Sequence, residues 1–333
     1  MSGQYGASKM MRSVLAIAAA LLSLISLATA QDWPTRPVKI VVAAAAGGPI
    51  DVFGRVMAER LSPILGQNVF IENVPGAGGM VGAQAVARAE PDGHAALLGT
   101  VATHTHSQNL YRAPLYNAAT DFAPVGLIAE IPLVLIVRKD LPVTSMAEFV
   151  DYAKRNAARM NYGSAGIGSA THLGCALMNG ALGLDVQHVP YRGTGPAMQD
   201  LMTGRIDYLC EIVVTAKPQI EGGAVKAIAT LSGTRSAVLP DLATAKEGGF
   251  ANLEADTWAA LFLPKATPDA IVAKLNAAMV QTLATPETKA KLADLGATIV
   301  APDRQSPRYL AQFVKDDIAK WAAVIKASGI QPN

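Results

Sequence analysis

Two cysteines in 333 residues are too few for a disulfide framework. Cys175 and Cys210 stand in neither a CxxC pair nor any metal-ligand spacing. We read them as small buried apolar residues. A single bridge is the alternative that an oxidising compartment leaves open. Aromatic residues make up only 5% of the chain, and no basic stretch is interleaved with them. No run of five like charges occurs, so the clustered positive footprint of a nucleic-acid binder is missing. After residue 30 no apolar run reaches the roughly 20 residues of a bilayer span. There is no G-x-S-x-G elbow and no HExxH, and no nucleophile is recognisably coupled to a base. His94, His104, His106, His172 and His188 include an alternating pair at 104 and 106, but loop histidines are a commoner outcome than a metal site. The chain reads as a binder without metal or cofactor, rather than an enzyme.

What is present begins with a leader. Lys9 and Arg12 precede an almost wholly apolar stretch, Ser13 to Leu27, and Ala28-Thr29-Ala30 is a small-x-small cleavage signature. The pattern predicts export with cleavage after Ala30. Of the 28 basic residues two lie in the leader, which brings the remainder level with the 26 acidic ones.

The rest of the chain alternates short apolar runs with helical periodicity. Val38 to Ala43 reads as a buried strand after Pro37, and Phe53, Val56, Met57, Leu61 and Ile64 form a helical stripe that stops at Gly66. Val69 to Ile71 and His94 to Gly99 are further strands, and a helix with Val81 and Ala85 on one face lies between them. This order demands a parallel sheet with crossovers. After the apolar stretch Leu127 to Val137 the pattern restarts, giving a second α/β unit with strands in "VQHVPY", "IDYLCEIV" and "VKAIATLS". Thr267 is expected to cap a helix opened by Pro268, and the last helix carries Leu310, Phe313, Val314, Ile318, Trp321 and Ile325 as one stripe ending at Gly329.

Each unit opens with a strand running into glycines. In "AGGPIDVFG" the amides of a first helical turn face whatever sits there. A phosphate loop would need Gly-Lys-Ser/Thr and a dinucleotide site GxGxxG, and neither is present. A seat of backbone donors suits a carboxylate, with Asp51 capping the helix. In "SAGIGSATH", Ser164 to His172, a second seat opens with the hydroxyls of Ser164, Ser169 and Thr171 nearby. Two such seats are stronger evidence than either alone, since open α/β sheets bind ligands beyond the carboxyl ends of their strands. "PGAGGMVG", Pro75 to Gly82, reads as a packing turn in preference to a ligand loop.

The stretches "GGPIDVFGRVMAERL", "NVPGAGGMVGAQAVARAEPDGHAALLGT", "NYGSAGIGSATHLG" and "HVPYRGTGPAMQDLMTGRIDY" resemble the Bug-type periplasmic receptors of tripartite tricarboxylate transporters, in order and over essentially the whole chain after the leader. The resemblance implies an α/β, two-lobed periplasmic binding protein of the Venus-flytrap, type II-like kind. Each lobe would be a mostly parallel sheet flanked by helices, and the chain would cross the hinge twice. Lobe one would comprise 31–131 plus 255–333 and lobe two 132–254. A small carboxylate would lie between Gly47, Gly48, Pro49, Ile50 and Asp51 on one side and Ser164, Ala165, Gly166, Ile167, Gly168 and Ser169 on the other. Tyr191, Arg192, Gly193 and Glu211 would stand nearby, with Glu211 more expected to pair with Arg192 than to meet the ligand. A monomeric receptor would deliver its cargo to membrane transporter subunits; a sensor for a signalling partner, or an enzyme using the cleft, are the alternatives. The chain departs from the family in having Ala43, Ala44 and Ala45 where an aromatic residue and flanking prolines are usual. It also has Ile50 for a hydroxyl residue, Ala165 for serine and Ile167 for asparagine. These departures predict a roomier, more apolar pocket, fitted to an aromatic or longer carboxylate.

Overall fold

The first sheet starts where proline releases the chain. After Pro37, the β-branched run Val38–Val42 forms β1 and pairs in parallel with β2 (Val69–Asn73) and β3 (Ala95–Thr100), Ile40 lying opposite Ile71 and Ala96. A computed structural model describes residues 33–251 and 253–327; the leader expected over residues 1–30 and the stop at Gly329 lie outside them. Helix α1 (Pro49–Leu65) has proline at its first turn and ends at Gly66, whose φ of 68° is the left-handed cap that glycine adopts without strain. Its Gly54 lets the helix approach the sheet, because a side chain there would come within 3.0 Å of Val42. Helix α2 (Met80–Ala87) connects β2 to β3. The expected Val81/Ala85 face is corrected: Met80, Ala83 and Val86 are buried while Val81 is exposed, because a helix this short is set by its neighbours rather than by its own stripe.

After the π-helical turn Ala102–His106 and the short α3 (Ser107–Leu110), the apolar stretch becomes the 17-residue strand β4 (Phe122–Arg138). Its first part, Phe122 to Pro132, pairs antiparallel with β9 (Asp256–Pro264). Its second part, Leu133 to Arg138, pairs with β7 (Tyr208–Ile212) and β8 (Val225–Thr230). One strand therefore carries two sheets, and its burial explains why it reads as a long apolar stretch interrupted only by the partly buried Glu130. The second sheet adds β5 (Asn161–Ser164) and β6 (Gln187–Pro190), with β5 parallel to both β6 and β7. Parallel strands thus occupy the outer part of each sheet, and antiparallel ones gather around β4. A two-residue β10 (Thr298–Ile299) also pairs with β4.

Helices α4 (Met146–Asn156), α5 (Ala170–Leu182), α6 (Thr194–Met202) and α7 (Val213–Glu221) belong to the second α/β unit. The chain then returns through β9 to α8 (Asp269–Ala284), α9 (Pro286–Asp294) and α10 (Pro307–Ala327). Thr267 does not cap α8; its hydroxyl donates to the Pro264 carbonyl, and Pro268 occupies the cap position. In α10 the residues Leu310, Val314, Trp321 and Ile325 are buried in a core that also holds Trp258 and Phe262. Among the described residues, no helix is long and apolar enough to cross a membrane.

The cysteines take the alternative that their sequence left open. Cys175 of α5 and Cys210 of β7 form a disulfide, with α carbons 5.3 Å apart. Both are fully buried, in keeping with the apolar reading, and the bridge is the open alternative realised. Thirty-five residues of sequence separation carry no information on whether two side chains meet, whereas a helix packed on a neighbouring strand does.

Candidate functional site

The first glycine loop leaves the carboxyl end of β1. Gly47 adopts a φ of 77°, which turns its amide onto the Asp51 carboxylate at 2.8 Å. Asp51, in the first turn of α1, also accepts from the Arg55 guanidinium at 3.0 Å. Burial works against ionisation of Asp51, but Arg55 and the Gly47 amide outweigh it and hold the carboxyl below its ordinary value. The side chain expected to cap the helix therefore clamps the loop and is not part of the cavity lining. The helix geometry leaves the amides of Ile50 and Asp51 without an intrahelical acceptor.

The second loop leaves β5 and is tied by neutral groups. Ser169 caps α5 by accepting from the His172 amide, and its hydroxyl donates to the Gly166 carbonyl at 2.7 Å. The Ala165 amide donates to Thr171, the Gly166 amide to Ser164, and the Gly168 amide to the His172 ring. Ser164 is itself 2.7 Å from the His188 ring. The loop hydroxyls expected at the ligand are thus engaged in shaping the loop. Burial pushes His172 down to about 4 and His188 to about 3, so both rings are neutral, stacked 4.1 Å apart beneath the seat.

The two loops lie against one cavity of about 650 Å³. Of the predicted residues, Gly48, Pro49, Ile50, Ala165, Gly166, Ile167, Ser169 and Tyr191 line it, together with Arg192 and Gly193. Gly47, Asp51, Ser164 and Gly168 do not line it: Gly47 is exposed, and the other three are buried. Glu211 is fully buried on β7, and its neighbour Ile212 takes the place on the cavity wall. The expected Glu211–Arg192 ion pair does not form. Glu211 instead accepts from the Thr215 hydroxyl at 2.7 Å and the Ile212 amide at 2.9 Å, and its second oxygen has no partner. Burial pushes its carboxyl up to about 7. A long charged side chain at the exposed position 192 cannot reach a group sealed behind a strand.

Of the turn expected to serve packing, Pro75 to Gly82, the first five residues, Pro75 to Gly79, also form cavity wall. A side chain on Gly78 would come within 3.1 Å of the Ile167 carbonyl, so this turn and the second loop touch. Its positive-φ glycines were the available signal, and they serve both close approach and lining. Thr100, Tyr111 and Thr257 line the cavity as well and carried no motif that could have marked them. His104 and His106 are core residues, not loop residues: His104 stacks on Phe262 at 3.7 Å and His106 packs against Trp321. Burial lowers both to about 3. No group of three His, Cys, Asp or Glu among the described residues could hold a metal.

Comparison with known proteins places this geometry. The model of the TctC family, the tripartite tricarboxylate transporter family receptor, matches residues 53–330. Among solved structures, periplasmic binding protein BugD is 38% identical with a TM-score of 0.85, covering 90% of this chain and 99% of that one. MatC from Rhodopseudomonas palustris, with bound malate, is 39% identical with a TM-score of 0.84, covering 88% and 100%. R. palustris Rpa4515, with adipate, is 35% identical with a TM-score of 0.86, covering 90% and 100%.

Proposed function

The chain belongs to the tripartite tricarboxylate transporter receptor family, the Bug-type periplasmic binding proteins, and from that premise we propose that it captures a small carboxylate between its two glycine loops. The observation that carries this reading is the pair of helix N-termini, α1 and α5, opening on one cavity whose lining includes a single charged side chain, Arg192. Backbone amides and helix dipoles favour an anion there without a lysine. A full phosphate charge would call for more cationic partners than one rim arginine supplies.

The cargo we infer is an aromatic or longer-chain carboxylate. Ala43, Ala44, Ala45, Ile50 and Ile167 give the cavity aliphatic walls, and 650 Å³ is ample for a benzene carboxylate. The malate and adipate in the two named relatives place small carboxylates in the same fold and leave the preference of this chain open to its own lining. The lobes in this reading are 31–131 plus 255–333 and 132–254, which agrees with the change of sheet at Pro132/Leu133 of β4. The exported chain, cleaved after Ala30, acts as a monomer and passes its cargo to the membrane subunits of a tripartite transporter.

A thermal-shift screen of the mature protein against aliphatic dicarboxylates, tricarboxylates, benzene carboxylates and amino acids tests this. A ligand at a hundredfold excess over its Kd adds ~2.7 kcal/mol of apparent stability. The largest shift is expected from a benzene or longer aliphatic carboxylate. Citrate winning clearly would overturn the preference, and no shift from any carboxylate would overturn the carboxylate reading.

A further inference from the structure

Thr257 stands at the second position of β9, where the chain passes from one sheet back to the other. It is buried, it lines the cavity, and its side-chain oxygen has no hydrogen-bond partner. The pleat gives its direction. Thr257 pairs with Ile131 and Ile212 pairs with Leu133, two residues on along β4, so both project to one face. Trp258 takes the opposite face, where its ring N–H donates to Asp317 on α10.

Thr100 of β3 pairs with Ala259, two residues from Thr257 on the adjacent strand. The two threonines are therefore diagonal neighbours on one face, about 7–8 Å apart. The Thr100 peptide group is bonded on both sides by Thr103, an exchange in which its own hydroxyl takes no part. Around this pair the floor is aliphatic, with Leu98 and Ile212. A buried hydroxyl without a partner destabilises a fold unless something completes it.

We propose that Thr257, with Thr100 beside it, hydrogen-bonds an uncharged polar group of the ligand, so that the cargo is a monocarboxylate bearing a hydroxyl or oxo group at the end remote from its carboxylate. The inference rests on the carboxylate reading above. A second carboxylate is a poor fit to the floor, because the one charged lining residue, Arg192, stands on the exposed rim. The chain also places acids next to the floor: Asp256 precedes Thr257 and Glu211 precedes Ile212, each with a buried carboxylate oxygen lacking a partner. A hydroxyl or carbonyl meets two threonines as donor or acceptor without asking for a counter-ion.

Isothermal titration of the mature protein against two matched series tests this. One series is benzoate, 3- and 4-hydroxybenzoate and terephthalate; the other is hexanoate, 6-hydroxyhexanoate and adipate. In the native protein a hydroxylated probe is expected to bind about tenfold more tightly than its parent and than the dicarboxylate. Thr257→Val, close in shape, should bring the hydroxylated acid and its parent to equal affinity, whereas Thr257→Ser should keep the difference. Equal binding of parent and hydroxylated acid in the native protein, or an equal loss of all probes in Thr257→Val, overturns the inference and leaves the carboxylate reading standing. A dicarboxylate binding most tightly shows that the floor accepts charge and overturns it too. If no probe in either series binds the folded native protein, this inference falls; the carboxylate reading falls with it only where the thermal-shift screen also finds no carboxylate.

Discussion

The seat at the start of α1 is held by charge. One carboxylate, Asp51, grips the Gly47 amide and the Arg55 guanidinium, and the guanidinium is largely in water. The seat at the start of α5 is held by neutral groups and a covalent bond. Three loop amides end on Thr171, Ser164 and His172, and Cys175 ties the helix to β7. Both present a helix N-terminus to the same cavity, yet they have different weaknesses. Charge at a wet surface yields to salt and to strong acid. Neutral imidazoles yield to mild acid, and a bridge yields only to its removal.

The largest expected effect falls on the second seat. Replacing both cysteines with alanine releases the cross-link between residues separated by 35 positions, which the chain-entropy relation sets at roughly 3–4 kcal/mol. Urea denaturation should show that loss. A double variant within 1 kcal/mol of the native protein would mean the bridge is incidental to the seat.

Mild acid is the next lever. His172 and His188 titrate lower in the folded chain, near 4 and 3, than the ordinary value of 6.5. Protons therefore bind the unfolded state first as pH falls below 6.5, and the stability these rings support is lost between that point and their folded values. Glu211 and Asp256, pushed up to about 7, act in the opposite sense, gaining stability as pH falls from 7 toward their ordinary values. Comparing native protein with His172→Gln cancels the carboxyls. The native loss between pH 7 and pH 5 should exceed that of the variant by about 1–2 kcal/mol. Parallel curves would place His172 outside the acid response.

The first seat has its own test. Asp51→Asn keeps an acceptor for Gly47 but removes the charge at the helix N-terminus, an expected cost of about 0.5–1 kcal/mol that shrinks at high salt. Because Asp51 is held below its ordinary carboxyl value, its contribution is present at neutral pH and disappears only as pH falls below about 4. A stability difference between the variant and native protein that grew between pH 7 and pH 5 would refute the division of labour between the two seats.

The same contrast explains what could be read from the chain. Gly47-Gly48-Pro49 and Gly166 to Ser169 mark strand-to-helix turns through local chemistry, so both loops were legible, as were the strands that feed them. The bridge, the sealed position of Glu211 and the cavity face of Thr257 depend on how distant strands register against β4. Such pairing leaves no local trace. Val81 misled for a related reason: α2 is too short for its periodicity to outweigh the sheet it packs on, and Ala83 and Val86 turn inward instead.

The smallest expected effect separates the two isoleucines. Ile50 sits at the first turn of α1 with 9% of its surface exposed, while Ile167 is 46% exposed at the tip of the second loop. Burying apolar area is worth roughly 25 cal/mol per Å², and Ile167 has the more exposed area left to bury against an apolar ligand, so it has the greater hold on one. Ile167→Asn is expected to weaken binding of a benzene carboxylate by about fivefold, and Ile50→Thr by about twofold, each on the order of 1 kcal/mol or less. Neither change should improve benzene-carboxylate binding, and both should move the ratio of citrate to benzoate affinity toward citrate. Titration of the two variants with both acids reads that ratio directly. If Ile50→Thr shifts it more than Ile167→Asn, the exposed loop tip stays clear of the ligand, and the first seat rather than the second selects the cargo.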